Sequence, residues 1–207
     1  MELGDKFTVY SKERIICHPV YGSKRQIWKC ERPRAGFAHN ELLSFTGEPL
    51  GFQIMIHGVL EVIEVRDTTS YTNVLMAYDE INLGALPTPY QEVTEPLSAN
   101  SGNKFLEGYI VATKLDKIGV GITDIVYIDK GWENGVHAGD VFEVYYIPEI
   151  EKKTWYQIGT IGLEKMPLLP DLLGELKIVK TEIKTATAVI VQKDYDMHVG
   201  NKIRSKR

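Results

Sequence analysis

The chain has no run of about eighteen apolar residues, the length a helix needs to cross a bilayer. Its opening, MELGDKF, lacks the charged and apolar regions of an export signal. The sequence therefore reads as a soluble chain, and any signal of an exported precursor has been cut away. Cysteine is scarce: Cys17 and Cys30 are the only two, and no CxxC occurs, which argues against a redox motif or a zinc knuckle. The 14 residues from Cys17 to Cys30 form a loop that a disulfide can close in an oxidising compartment, for about 3 kcal/mol. Two reduced, partly buried thiols are the other reading.

Catalytic signatures are missing as well. GVGITD has neither the Lys-Ser/Thr of a phosphate loop nor the GxGxxG of a dinucleotide fold, and there is no GxSxG elbow. None of the five histidines pairs at HxH or HxxxH spacing, so no metal site and no cofactor is expected. Cys17-His18-Pro19 invites a nucleophile, but neighbours on a strand point to opposite faces, and a strand stopped by Pro19 is the plainer expectation. A paired-carboxylate hydrolase stays open, because spacing alone cannot bring two carboxylates together. The net charge of −4 offers no general attraction to nucleic acid or anionic lipid.

What the chain does have is strands. KFTVY alternates Phe7 and Val9 with polar neighbours, and VFEVY does the same with Phe142 and Val144. GVLEVIEV, TNVLMAY, GELKIVK and TATAVIVQ read alike, while YDEINLG and DYDMHVG offer a turn of helix at most. The fold class expected is all-β. The strands also repeat. GDKFTVY at Gly4 returns as GDVFEVY at Gly139, identical at five of seven positions. Gly58–Gly84 lies over Gly174–Gly200 for 27 residues without a gap. Apolar pairs in that block include Leu60 with Leu176, Ile63 with Val179 and Val74 with Ile190. An internal duplication follows as an expectation.

It predicts two tandem small β-barrel or sandwich modules: residues 1–90 with an insertion at about 23–47, a linker at 91–107, and residues 108–207. The forepart Gly108–Asp140 has no match before Gly4, so the first module lacks its N-terminal part. Met1 is accordingly expected to mark a boundary inside a longer chain. Gly4-Asp5 and Gly139-Asp140 read as structural turns, the glycine free to take positive φ and the aspartate accepting backbone N–H groups.

Residues 12–34 carry seven basic and two acidic side chains in a chain that is acidic overall. Within them Lys24, Arg25, Trp28, Lys29, Arg32 and Arg34 mix cations with an aromatic ring, a pattern that grips an acidic protein surface or nucleic acid. A solvated loop whose Trp28 tucks onto its own domain is one reading, and contact with a protein partner is the other. Trp132, Trp155, Tyr156 and Tyr195 are stacking faces for an alternative, glycan-binding module.

ELGDKFTVYSKERIICHPVYG, EPLGFQIMIHGVLEVIEV and LMAYDEINLGALPTPY, with the matching DIVYIDKGWENGVHAGDVFEVYY and LLGELKIVKTEIKTATAVIVQKDYDMHVGNKI, resemble the C-terminal repeats of bacterial LysM-domain envelope proteins. The closest in pattern are type IV pilus secretin-associated proteins. There a Gly-Asp strand leads to a His-Pro, a Leu-Gly-Tyr/Phe strand and a Gly-Asp-x-x-x-Pro ending. Gly84-Ala85 and Gly200-Asn201 depart from that ending, and the basic insertion lies outside the pattern. The resemblance implies a non-catalytic, periplasmic, outer-membrane-associated interaction module. Its implied partner is an outer-membrane secretin or a similar envelope ring, a flagellar basal ring being the alternative, with no nucleic acid and no membrane insertion. Peptidoglycan binding would belong to a LysM domain that this sequence does not contain.

Overall fold

The computed structural model describes residues 2–22, 47–91, 105–155 and 161–206. Among them the protein is all-β, with two single 3₁₀ turns, at Lys114–Asp116 and Trp132–Asn134, and no α-helix. YDEINLG and DYDMHVG form bends and turns, so the short helices those segments offered do not form. The chain divides into two compact units: Met1–Ile16 with Gly51–Glu95, and Cys17–Leu50 with Pro96–Arg207. The expected insertion at 23–47 lies outside the described residues apart from Gly47, where a strand begins, and so does most of the expected linker.

The first unit draws on four strands: β1 (Lys6–Gly22) as far as Ile16, β2 (Gly47–Val65) from Gly51, β3 (Ser70–Ala77) and β4 (Leu86–Pro89), the ends of β1 and β2 beyond those points belonging to the second unit. They form one sheet in the order β3-β2-β1-β4. Its described buried apolar side chains are Val9, Met55, Val59 and Val62. Pro19 does not stop β1, which runs on to Gly22. The reason is local: the N–H groups of Val20 and Tyr21 donate to Nδ1 of His18 at 3.1 and 2.9 Å, so a side chain accepts the bonds that follow the proline.

The second unit carries β5 (Glu107–Thr113), β6 (Ile125–Ile128), β7 (Val141–Tyr146), β10 (Asp171–Thr181), β11 (Ala186–Lys193) and β12 (Lys202–Ser205). These six close into a barrel in the order β10-β11-β6-β5-β12-β7. A separate hairpin, β8 (Glu149–Trp155) with β9 (Ile161–Pro167), is inserted between β7 and β10. Closure removes sheet edges and gives one apolar interior that includes Ile110, Val126, Ile128, Phe142, Leu176 and Ile203. The barrel wall begins inside the expected linker. Leu106 packs against this core and exchanges two bonds with Ser205, Leu106 N–H to Oγ at 3.1 Å and Ser205 N–H to the Leu106 carbonyl at 2.9 Å.

The two units share a detailed internal geometry. All seven Cα pairs of β2 with β3, from Gly58–Ala77 to Val65–Ser70, recur 116 positions later in β10 with β11, from Gly174–Lys193 to Thr181–Ala186. Both register shifts recur with them, at Val59/Leu60 and Val62/Glu64 and then at Glu175/Leu176 and Ile178/Lys180. Gly4 N–H donates to the Val62 carbonyl at 2.8 Å, as Gly139 N–H does to Ile178 at 2.8 Å. Gly4 and Gly139 have φ of 89° and 97°, where a Cβ would be strained. Asp5 Oδ2 accepts Glu2 N–H at 2.7 Å, and Asp140 Oδ2 accepts His137 N–H at 2.9 Å. A Cβ on Gly58 would meet the Met76 carbonyl oxygen at 2.3 Å, and one on Gly174 would meet that of Gln192 at 2.2 Å. Around the barrel of the second unit, β11-β10-β7-β12 follow the same order as β3-β2-β1-β4. Strands β5 and β6, which complete the ring, have no equivalent in the four-stranded sheet among the described residues.

Candidate functional site

Among the described residues, the first unit's sheet has no strands in the places of β5 and β6. Between β1, β2, β3 and β4 lies a cavity of about 500 Å³, lined by Phe7, Leu60, Val65, Thr72, Pro87 and the β2–β3 turn. The residues at the same register in the barrel are Phe142, Leu176, Ala188 and Ile203, for Phe7, Leu60, Thr72 and Pro87. All four are sealed in the interior. What is packed core in one unit is an open cleft in the other. Val74 of β3 is 56% exposed, whereas Ile190, its register equivalent on β11, is 1% exposed.

The cleft is flanked by the two edges of the sheet, and these differ. On β4 the N–H of Tyr90 donates inward to the Lys6 carbonyl at 2.9 Å, so by alternation the amides of residues 87 and 89 face away from β1. Both positions are proline. Their barrel counterparts are Ile203 and Ser205, and Ser205 uses that outward N–H to bond Leu106 at 2.9 Å. Proline has no N–H to offer, so the β4 edge is blunted against strand pairing. Along β3, Ser70, Thr72 and Val74 keep their donors. Their counterparts Ala186 and Ala188 sit opposite Ile128 and Val126 of β6, and Ile190 exchanges bonds with the loop before it, donating to Asp124 at 3.0 Å and accepting from Thr123 at 2.9 Å. Among the described residues, β3 has a neighbouring strand on one side only.

Charge sits at the rim. Arg66 pairs with Glu64 at 2.7 Å, donates to the Tyr71 hydroxyl at 3.2 Å and lies over the Tyr71 ring at 4.5 Å. Tyr71, Val74, Leu75 and Met76 are all exposed, an apolar strand facing water.

Two histidines, His18 and His57, are buried. His18 Nδ1 accepts two backbone bonds, which puts the ring hydrogen on Nε2, where it donates to Asp129 Oδ2 at 3.1 Å. Asp129 Oδ1 accepts Tyr109 N–H at 2.7 Å, and Lys130 Nζ stands 3.5 Å from Oδ2. Burial pushes the Asp129 carboxyl up, but His18, the Tyr109 amide and Lys130 outweigh it and hold it below the ordinary carboxylate value. The Tyr109 phenol, bonded to Tyr21, partly buried and near Asp129, is pushed up to about 12. Every polar atom of His18 is engaged, so the cluster ties the end of β1 to the barrel and leaves no base free. In the first unit His57 Nε2 is 2.9 Å from Ser11 Oγ, whose hydroxyl donates to Glu13. That direction makes the ring a donor to Ser11, the wrong polarity for activating a serine. His57 Nδ1 is left buried with no partner.

Lys24, Arg25, Trp28, Lys29, Arg32 and Arg34, the residues expected to touch a partner, lie outside the described residues, as does Cys30. Cys17 takes part in a disulfide. Trp132 and Tyr195 are exposed, while the side chains of Trp155 and Tyr156 lie outside the described residues. Sequence reasoning passed over the β3 edge and the Pro87/Pro89 block. The signal was present in LPTPY, where prolines two apart within a strand mark an edge closed on one side. No family model matches the chain, no curated protein is similar to it, and no solved structure matches it.

Proposed function

We propose that the protein is a non-catalytic interaction module, built by copying one strand-rich unit, that docks another protein of the bacterial cell envelope through an exposed sheet edge. The observation that carries this reading is the open β3 edge beside an apolar cleft, at positions that are interior in the second unit. Copying is supported by the shared register, shared bulges and shared Gly-Asp turns at two fixed offsets. A disulfide at Cys17 supports an oxidising compartment, in keeping with a periplasmic site. The partner proposed is an outer-membrane secretin ring of a type IV pilus machine, with the basic 23–47 segment as a second contact. This rests on the resemblance to LysM-associated repeats.

The test is to recover the full-length native protein from envelopes under mild solubilisation. Enrichment of a secretin subunit is the expected result. Retention on purified sacculi by this chain alone, with no envelope protein retained, would overturn the docking reading in favour of glycan binding. Recovery of a flagellar ring protein would keep the docking class and replace the partner.

A further inference from the structure

We infer that the end of β1 is a pH-operated latch: when the His18 ring takes up a proton, Pro19–Gly22 is released from it while the ring stays on Asp129. The inference stands apart from the docking reading, because every residue it uses lies within the second unit.

A neutral imidazole has one donor nitrogen and one acceptor nitrogen. In His18 both are spent. Nδ1 accepts the N–H groups of Val20 and Tyr21 at 3.1 and 2.9 Å, and Nε2–H donates to Asp129 Oδ2 at 3.1 Å. An imidazolium carries a hydrogen on each nitrogen and accepts nothing. Protonation at Nδ1 therefore sets three hydrogens against one another, and the two backbone bonds must break. Pro19 has no N–H, so across Pro19, Val20 and Tyr21 the only backbone donors are the two that end on this nitrogen. All three residues lose their donor bonds at once. Val20 and Tyr21 are exposed although His18 is buried, so the freed amides can turn to water. Tyr21, which also reaches the Tyr109 hydroxyl at 3.5 Å, leaves with them.

The groups around the ring decide which half of the latch lets go. Tyr109 of β5 stands edge-on to His18 at 5.3 Å, and Tyr21 of β1 is tilted against it at 4.5 Å. Phenols are neutral over the range in which histidine ordinarily gains a proton. Asp129, just after β6, is still an anion there, because its carboxyl is held below the ordinary value. Its bond to a cationic ring is charge-assisted and stronger than its bond to a neutral one. Lys130 Nζ, 3.5 Å from the same carboxylate oxygen, works against the new cation, while Asp129 at hydrogen-bond distance works for it. The ring keeps the barrel and gives up the strand.

The test is an acid titration of the full chain by NMR, from about pH 8 to about pH 4. It reads the His18 ring nitrogens and the exchange protection of backbone amides together. The neutral ring should carry its hydrogen on Nε2. Protection at Val20 and Tyr21 should fall about tenfold or more, with the same midpoint as proton uptake by the ring. Ile110 and Ile203, in the barrel wall, should keep theirs. His18→Asn puts a carbonyl oxygen in the place of Nδ1, an acceptor that does not titrate, so protection at Val20 and Tyr21 should lose its pH dependence. Asp129→Asn removes the anion that faces the imidazolium, so the midpoint should move to lower pH.

Protection at Ile110 and Ile203 shows in each variant that the barrel is folded, and the unaltered chain decides the matter if a variant does not fold. An imidazolium at His18 with Val20 and Tyr21 still protected overturns the latch. So does a neutral ring with its hydrogen on Nδ1, or a ring that takes up no proton in this range. Unchanged pH dependence in His18→Asn, a midpoint unmoved or raised in Asp129→Asn, or loss of protection that spreads to Ile110 and Ile203 at the same midpoint overturns it as well.

Discussion

Asp129 shows how one carboxylate can hold an element end in place. It accepts from His18 and from the Tyr109 amide, and its pKa lies below the ordinary value as a result. Below its unfolded value the unfolded chain binds the proton more readily than the native one, so stability falls as acid is added. The contribution is complete above about pH 4 and is lost as pH drops through the folded pKa. Asp129→Asn should cost about 1–3 kcal/mol at pH 7, and the gap to the unaltered protein should shrink on acidification. Urea denaturation of both proteins at neutral and acid pH measures it. Phe7 and Phe142 give a second contrast at this scale. Phe142→Ala empties a sealed core and should cost about 3–5 kcal/mol. Phe7→Ala removes a side chain that is only partly buried and should cost less, about 1–2 kcal/mol. Calorimetry of the two variants decides whether the cleft is as open as described.

At the scale of elements, alternation made the strands legible and made the shared pattern of β2–β3 and β10–β11 visible in 27 aligned residues. It misled on what the apolar pairs do. Ile63 and Val179 align and are both apolar, yet each is 45% exposed. They are the residues skipped at the second register shift, and a bulge turns its extra residue out of the pleat. Periodicity cannot mark such a residue, because a bulge breaks the period it relies on. Val74 and Ile190 differ for another reason: only Ile190 has the loop before β6, Thr123–Asp124, across from it, and pairing between distant segments leaves no local trace. The aligned glycines were legible, but their cause was not. Both approach a facing carbonyl too closely for a Cβ, so Gly58→Ala and Gly174→Ala should each destabilise their own unit by about 1–3 kcal/mol. Residue-level hydrogen exchange would show it. Loss of protection in the opposite unit alone would contradict the shared geometry.

For the whole molecule, the alternating runs pointed to an all-β protein, and the described residues are all-β. Among them six strands close a ring in one unit, while the other shows a four-stranded sheet with one edge blunted by prolines and one open. Lys24, Arg25, Trp28, Lys29, Arg32 and Arg34 of the basic segment lie outside the described residues. If the chain works in the periplasm, peptide mapping without reductant should return Cys17 joined to Cys30, and two free thiols in protein isolated from that compartment would contradict the proposed location. The most direct test of docking through β3 is a photoreactive side chain at Asn73 in the full-length protein, activated in native envelopes. Asn73 is exposed and, by alternation with Thr72, faces away from the cleft, so the label leaves the pocket unfilled. The account predicts a cross-link from Asn73 to an envelope ring protein, lost when Thr72→Pro is added. Cross-linking that Thr72→Pro leaves unchanged, or no adduct at Asn73 while the partner still co-purifies, would contradict it.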